Sequence, residues 1–178
     1  MRVTSFAAAP TVAEDGFESA TGTSLGGAMV VTAAQLPPIA GNTSLYVGPA
    51  GAPGILSTNG ASLAVRLARQ PGDTRLRFSY RVIAAASQGS FFGTLYVGSE
   101  GASTGQTASG FGGLAPSAQE MVTVVGQTAY ASAITALDQA LPADTTDSVL
   151  VLITPASNVC RAGPLLNAGL LIDDLRLE

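Results

Sequence analysis

Five carboxylates stand near the two ends of this sequence: Glu14, Asp15 and Glu18 at one, Asp173 and Asp174 at the other. Two carboxylates held across a sugar ring can hydrolyse a glycosidic bond, one as acid and one as nucleophile or base. That is the only common catalytic chemistry the composition leaves open. The five acids lie beside turn residues, a setting that favours structural work, so the sequence predicts no enzyme.

The other chemistries are excluded by missing residues. There is no histidine and no lysine, and all 8 basic residues are arginine. Histidine-based triads, imidazole metal sites, phosphate-loop lysines and Schiff bases are therefore absent. The single cysteine, Cys160, makes no disulfide within the chain and no thiolate zinc site. A net charge of −4 argues against nucleic acid as a partner, because neutralised phosphates supply most of that affinity. No run of apolar residues reaches membrane-span length, and the start of the chain does not read as a signal peptide.

Four arginines form the strongest electrostatic feature. Arg75, Arg77 and Arg81 alternate with Leu76, Phe78, Tyr80 and Val82, so they share one face of a strand. Arg66 takes the equivalent place among Leu63, Val65 and Leu67. Guanidinium groups in such a row can grip a carboxylate, an acidic sugar or an acidic protein surface bidentately. The alternative is a solvated face that discourages aggregation. Asn42-Thr43-Ser44 also fits a glycosylation acceptor.

Positioning these residues is the work of strands. The chain has 178 residues, 47% of them apolar, with Gly and Pro spread between short apolar runs. That spacing predicts an all-β domain. Expected strands are 28–32, 44–47, 61–68, 74–84, 91–97, 120–125, 130–137, 148–154 and 169–177, with little or no helix. Residues 129–140 also fit a helix by their Ala and Leu content, but Tyr130, Ile134 and Thr135 tilt them to strand. The turn at Arg69-Gln70-Pro71-Gly72-Asp73 predicts an antiparallel hairpin between 61–68 and 74–84. Residues 98–117, rich in Gly, Ser and Thr, predict a long surface loop. Residues 44–51 and 94–101 echo one another, as two similar strands with similar exits.

Several motifs resemble one family. These are Asp15-Gly16-Phe17-Glu18-Ser19, Gly60-Ala61-Ser62-Leu63-Ala64-Val65-Arg66-Leu67, Leu76-Arg77-Phe78-Ser79-Tyr80-Arg81-Val82 and Leu171-Ile172-Asp173-Asp174-Leu175-Arg176-Leu177. Their order and spacing resemble the galactose-binding-like β-sandwich family of carbohydrate-binding modules and bacterial cell-surface domains, over residues 15–178. The resemblance implies a two-sheet antiparallel jelly roll with adjacent termini. Residues 1–14 are left as an N-terminal arm or edge strand. It also implies a structural calcium held by Glu18, Asp173 and Asp174. Period-2 alternation agrees in part, by placing Asp173 on the face of Leu175 and Leu177 if those point inward. Calcium, a hard ion, takes such oxygen ligands; the alternative is that Asp173 accepts backbone N–H groups and Asp174 pairs with an arginine. Sugar-binding relatives stack rings on exposed aromatics. Here there is no tryptophan, which leaves Tyr46, Tyr96, Tyr130, Phe111 and one of Phe91-Phe92.

Two functions follow. One is a structural or binding subunit of a larger extracellular, cell-surface or virion assembly, partnered by other protein subunits. The low charge content, 11%, suits an assembly interface. Residues 2–12 would then be an arm that adds a strand to a neighbour. The other is a monomeric carbohydrate-binding or adhesion module whose partners are glycans.

Overall fold

A computed structural model describes residues 17–18, 24–25, 28–47, 63–84, 89–90, 93–99, 105–109, 113–114, 120–124, 127–143, 145, 148–155 and 168–178. Among these the chain is almost entirely antiparallel β-structure, without an α-helix. The strands are β1 (Ser24–Leu25), β2 (Ala28–Thr32), β3 (Thr43–Val47), β4 (Leu63–Ala68), β5 (Arg75–Ala84), β6 (Gly89–Ser90), β7 (Gly93–Gly98), β8 (Gly105–Ser109), β9 (Gly113–Leu114), β10 (Glu120–Val124), β11 (Gln127–Ala131), β12 (Thr135–Ala140), β13 (Ser148–Pro155) and β14 (Ala168–Leu177).

An eight-stranded sheet runs β1-β2-β3-β14-β5-β11-β10, with β12 also paired to β5. A four-stranded sheet runs β4-β13-β7-β8, and β6 and β9 form a small ribbon. Both larger sheets feed one apolar core. The large sheet contributes Val30, Leu45, Leu76, Phe78, Val82, Leu170 and Ile172; the small sheet contributes Leu63, Val65, Leu67, Leu95, Val97, Val149 and Val151. Alternation makes this possible, since every second residue of each strand faces the same way. The opposite face of the large sheet carries a second cluster, with Val31, Leu36, Tyr46, Ile83, Ala129, Ala131 and Leu171.

The expected hairpin between 61–68 and 74–84 does not form. β4 pairs with β13 in the small sheet, whereas β5 lies in the large one. The turn itself exists. Asp73 N–H donates to the Gln70 carbonyl at 3.1 Å, Gln70 N–H donates to the Asp73 carboxylate at 2.7 Å, and Gly72 has φ +106°. It carries the chain from one sheet to the other, so the apolar faces of β4 and β5 meet across the core instead of lying side by side. Arg66 is therefore separated from the β5 arginines.

Two further expectations change. Residues 98–117 contain β8, which pairs with β7 from Thr94↔Ser109 to Gly98↔Gly105, and β9. A polar edge strand held by backbone pairing leaves no apolar signature to read. The 130–137 strand is divided: β11 meets β5 at Ile83 and Ala84, β12 meets it from Arg75 to Tyr80, and Ser132 stands between. Ser132 fills the break by donating its amide to the Val82 carbonyl at 2.9 Å and accepting the Val82 amide on its hydroxyl at 2.9 Å. Among the described residues, the first and last strands, β1 and β14, do not pair; β2 and β3 lie between them.

Candidate functional site

β14 changes phase halfway along. Asp173 opposes Ser79 and Arg176 opposes Arg77, so one strand advances three residues while the other advances two. The extra residue is a β-bulge, and Asp174 adopts φ +55° within it. Aspartate tolerates this left-handed conformation better than most residues. Leu170 and Ile172 face the core before the bulge, Leu175 and Leu177 after it. Asp173 consequently shares the face of Leu171, not of Leu175, which corrects the period-2 expectation.

On that face Asp173 is 1% exposed. Its Oδ2 accepts the Ser44 hydroxyl at 2.6 Å and the Ala40 amide at 3.0 Å; its Oδ1 accepts the Asp174 amide at 2.8 Å. Ser44 Oγ also accepts the Ile39 amide at 2.9 Å. Residues 33–42, which join β2 to β3, are thereby drawn against the outer face of the large sheet, where their Leu36 is buried. Burial pushes the Asp173 carboxyl pKa up, against the opposing pull of the Ser44 hydroxyl and the two amides.

Glu18 grips the same segment from another side. Its Oε1 accepts the Asn42 amide at 2.7 Å and the Thr43 amide at 3.0 Å, and these two bonds hold its pKa below the ordinary value. Gly41 sits at φ +57°, a left-handed conformation that favours glycine, and a Cβ there would stand 2.2 Å from Glu18 Oε1, so the carboxylate would have to shift its grip. Asp174 instead pairs with Arg176. The donors around Asp173 and Glu18 are N–H and O–H groups, which satisfy carboxylates directly. Among the described residues no three Cys, Asp or Glu side chains gather as metal ligands.

The arginine row is closed by acids of the same chain. Asp138 on β12 pairs with Arg75 and, at 3.3 Å, with Arg77; Glu178 pairs with Arg77 and with Arg176, each at 2.7 Å. With Asp174 the sequence Arg75–Asp138–Arg77–Glu178–Arg176–Asp174 is a continuous network across β12, β5 and β14, three charges of each sign. The two arginines hold the Asp138 carboxyl below its ordinary pKa, chiefly through the hydrogen bond from Arg75. Arg81 lies deeper, 5% exposed. Its guanidinium donates to the Ser132 carbonyl at 3.1 Å and to Glu120 at 2.7 Å. These ion pairs make the β5 row a charge-balanced ladder, with Arg77 Nε buried and without a hydrogen-bond partner among the described residues.

Neither Tyr46 nor Tyr96 presents a ring to solvent: they are 0% and 3% exposed. Tyr46 packs in the outer cluster of the large sheet, Tyr96 beside Ala64, Leu150 and Leu152 on the small one. Tyr130 is half-buried against the core. The Tyr46 hydroxyl is buried without a hydrogen-bond partner, and burial pushes its pKa up. Residues 1–14, Glu14, Asp15, Phe91, Phe92, Phe111 and Cys160 lie outside the described residues. No protein-family model matches this chain, and no curated protein does.

Ser44, Ser132, Asp138, Glu120 and Glu178 complete the arrangement and were not among the expected site residues. Asp138 had a readable signal, since it interrupts an otherwise neutral strand. The bulge had one too: inward apolar positions at 170, 172, 175 and 177 contain one three-residue step.

Proposed function

We propose that this chain is a non-catalytic jelly-roll β-sandwich acting as a structural or binding subunit of a larger extracellular or virion assembly. The observation that carries the reading is the neutral ladder on the exposed face of β5. Its cations are matched by acids from the same chain, so the ladder leaves no concentrated charge for a small anionic ligand. The network ties three strands into one surface, as a packing subunit requires. The reading of a carbohydrate-binding module loses two of its candidate rings, because Tyr46 and Tyr96 are buried; Phe91, Phe92 and Phe111 lie outside the described residues.

Solution mass by light scattering, with and without EDTA, tests this. A concentration-dependent oligomer indifferent to EDTA supports the subunit. A strict monomer overturns it and returns attention to glycan binding.

A further inference from the structure

Among the described residues β12 is paired on one side only, with β5. Leu141 N–H donates to the Thr74 carbonyl at 2.8 Å, and the register continues as Gln139↔Leu76, Leu137↔Phe78 and Thr135↔Tyr80. Backbone groups alternate sides along an antiparallel strand. Thr135, Leu137 and Gln139 therefore bond to β5, while Ala136, Asp138 and Ala140 turn their amides and carbonyls to the open side. Gln139 Nε2 covers the Ala140 carbonyl at 3.2 Å. The backbone groups of Ala136 and Asp138 have no partner among the described residues, and both residues are exposed.

Open edges are normally defended by lysine, proline, a bulge or an uncompensated charge. Residues 135–140 contain no proline and no basic residue, and their pairing with β5 is regular. Their one charge, Asp138, is neutralised by Arg75 and Arg77. Beside this edge stands Ile134, a large apolar side chain 51% exposed.

We propose that β12 docks antiparallel against β12 of a second copy of this chain, about a two-fold axis through Leu137. The proposal rests on the subunit reading and names its interface. The register follows from the edge. Outward-facing residues must oppose each other, so Ala136 or Asp138 must meet Ala136 or Asp138 of the second copy. Asp138 against Asp138 would place like charges opposite each other, which destabilises a pair. Ala136 against Ala136 overlaps only residues 135–137. Ala136 against Asp138 overlaps 135–139, makes both backbone exchanges, opposes no like charges and brings the two half-buried Leu137 side chains together. It also carries Ile134 alongside Ala140 of the second copy.

Two substitutions at one exposed position test the register. Ala136→Asp would set a carboxylate opposite Asp138 of the second copy twice per dimer; Ala136→Arg would set a guanidinium there. By light scattering across a dilution series, Ala136→Asp is expected to weaken the dimer roughly tenfold or more and Ala136→Arg to maintain or tighten it. A general loss of folding would not split the two. In a Cys160→Ser background, Leu137→Cys is expected to cross-link on mild oxidation. A pair without mutual hydrogen bonds holds its Cα atoms about 4.5 Å apart, within disulfide range. An oligomer that ignores both Ala136 substitutions and gives no Leu137→Cys cross-link overturns the edge proposal and leaves the subunit reading standing. A monomer at every concentration overturns both.

Discussion

Asp173 and Ser44, 129 positions apart in the chain, meet in a buried 2.6 Å hydrogen bond. Through it the bulge of β14 governs the course of residues 33–42. Ser44 passes the restraint to the Ile39 amide, and Asp173 holds the Ala40 amide directly. One carboxylate therefore orders a segment whose Leu36 is buried in the same cluster as Tyr46.

Removing that carboxylate exposes its donors to an apolar surround. Asp173→Ala leaves two amides and a hydroxyl without their acceptor, a loss of about 1–3 kcal/mol for each group left unsatisfied in a buried setting, moderated where water enters. Asp173→Ala is expected to cost at least about 2 kcal/mol in urea unfolding, and Ser44→Ala less. The double variant should fall short of the sum, because both single changes break the same bond. Strict additivity would mean that the two side chains do not cooperate in holding the segment.

The acids also set how stability varies with pH, in opposing directions. Glu18 and Asp138 have pKa values depressed below 4.5 and 3.8 on folding. Their contribution is present above those ordinary values and is lost as pH falls through the folded ones. Asp173 is shifted upward from 3.8 by burial. Its contribution is fully present below 3.8 and is lost as pH rises through its folded pKa. Denaturant unfolding across the acid range is expected to show Glu18→Gln flattening the fall in stability on acidification. Asp173→Asn should steepen it, since the term that opposes the fall disappears. Parallel profiles for wild type and both variants would refute the assignment.

The ladder on β5 makes a weaker prediction. Its members are one-third to one-half exposed, from 34% for Arg176 to 54% for Asp174. Exposed pairs contribute about 0–1 kcal/mol and are screened by salt. Asp138→Asn is expected to lower the unfolding midpoint only slightly, with the difference from wild type shrinking in high salt. Arg81→Ala should cost more and respond less to salt, because Arg81 is buried and its loss leaves the Ser132 carbonyl unmatched. Equal costs with equal salt dependence would contradict the difference in burial.

Much of this arrangement is legible in the sequence, and the gaps have physical causes. β5 and its arginine face follow from alternation alone, since every second residue from Leu76 is apolar. Its partners do not. A turn such as 69–73 has the same residues whether it joins neighbours in one sheet or crosses between two. The choice is made by where the faces of β4 and β5 find apolar cover. Asp173 was identifiable as a buried acid, but its face was not, because one inserted residue reverses everything beyond it. Tyr46 and Tyr96 look alike to a composition argument; only the packing of Gly169, Leu150 and Leu152 places them inside.

That packing yields the sharpest test. A Cβ on Gly169 would lie 2.2 Å from Tyr46 Cε2 and 2.2 Å from its hydroxyl oxygen. Gly169→Ala must therefore displace the ring, at an overpacking cost of about 1–3 kcal/mol. Tyr46→Phe removes a buried hydroxyl that has no partner and is expected to be neutral or slightly stabilising in thermal unfolding. Combined, the two changes should cost less than Gly169→Ala alone. The loss of the oxygen relieves one clash, although the ring carbon still stands in the way, so rescue should be partial. If Tyr46→Phe instead destabilised by more than about 1 kcal/mol, the hydroxyl would have a partner in solution. The buried face of β3 would then be wetter than its packing implies.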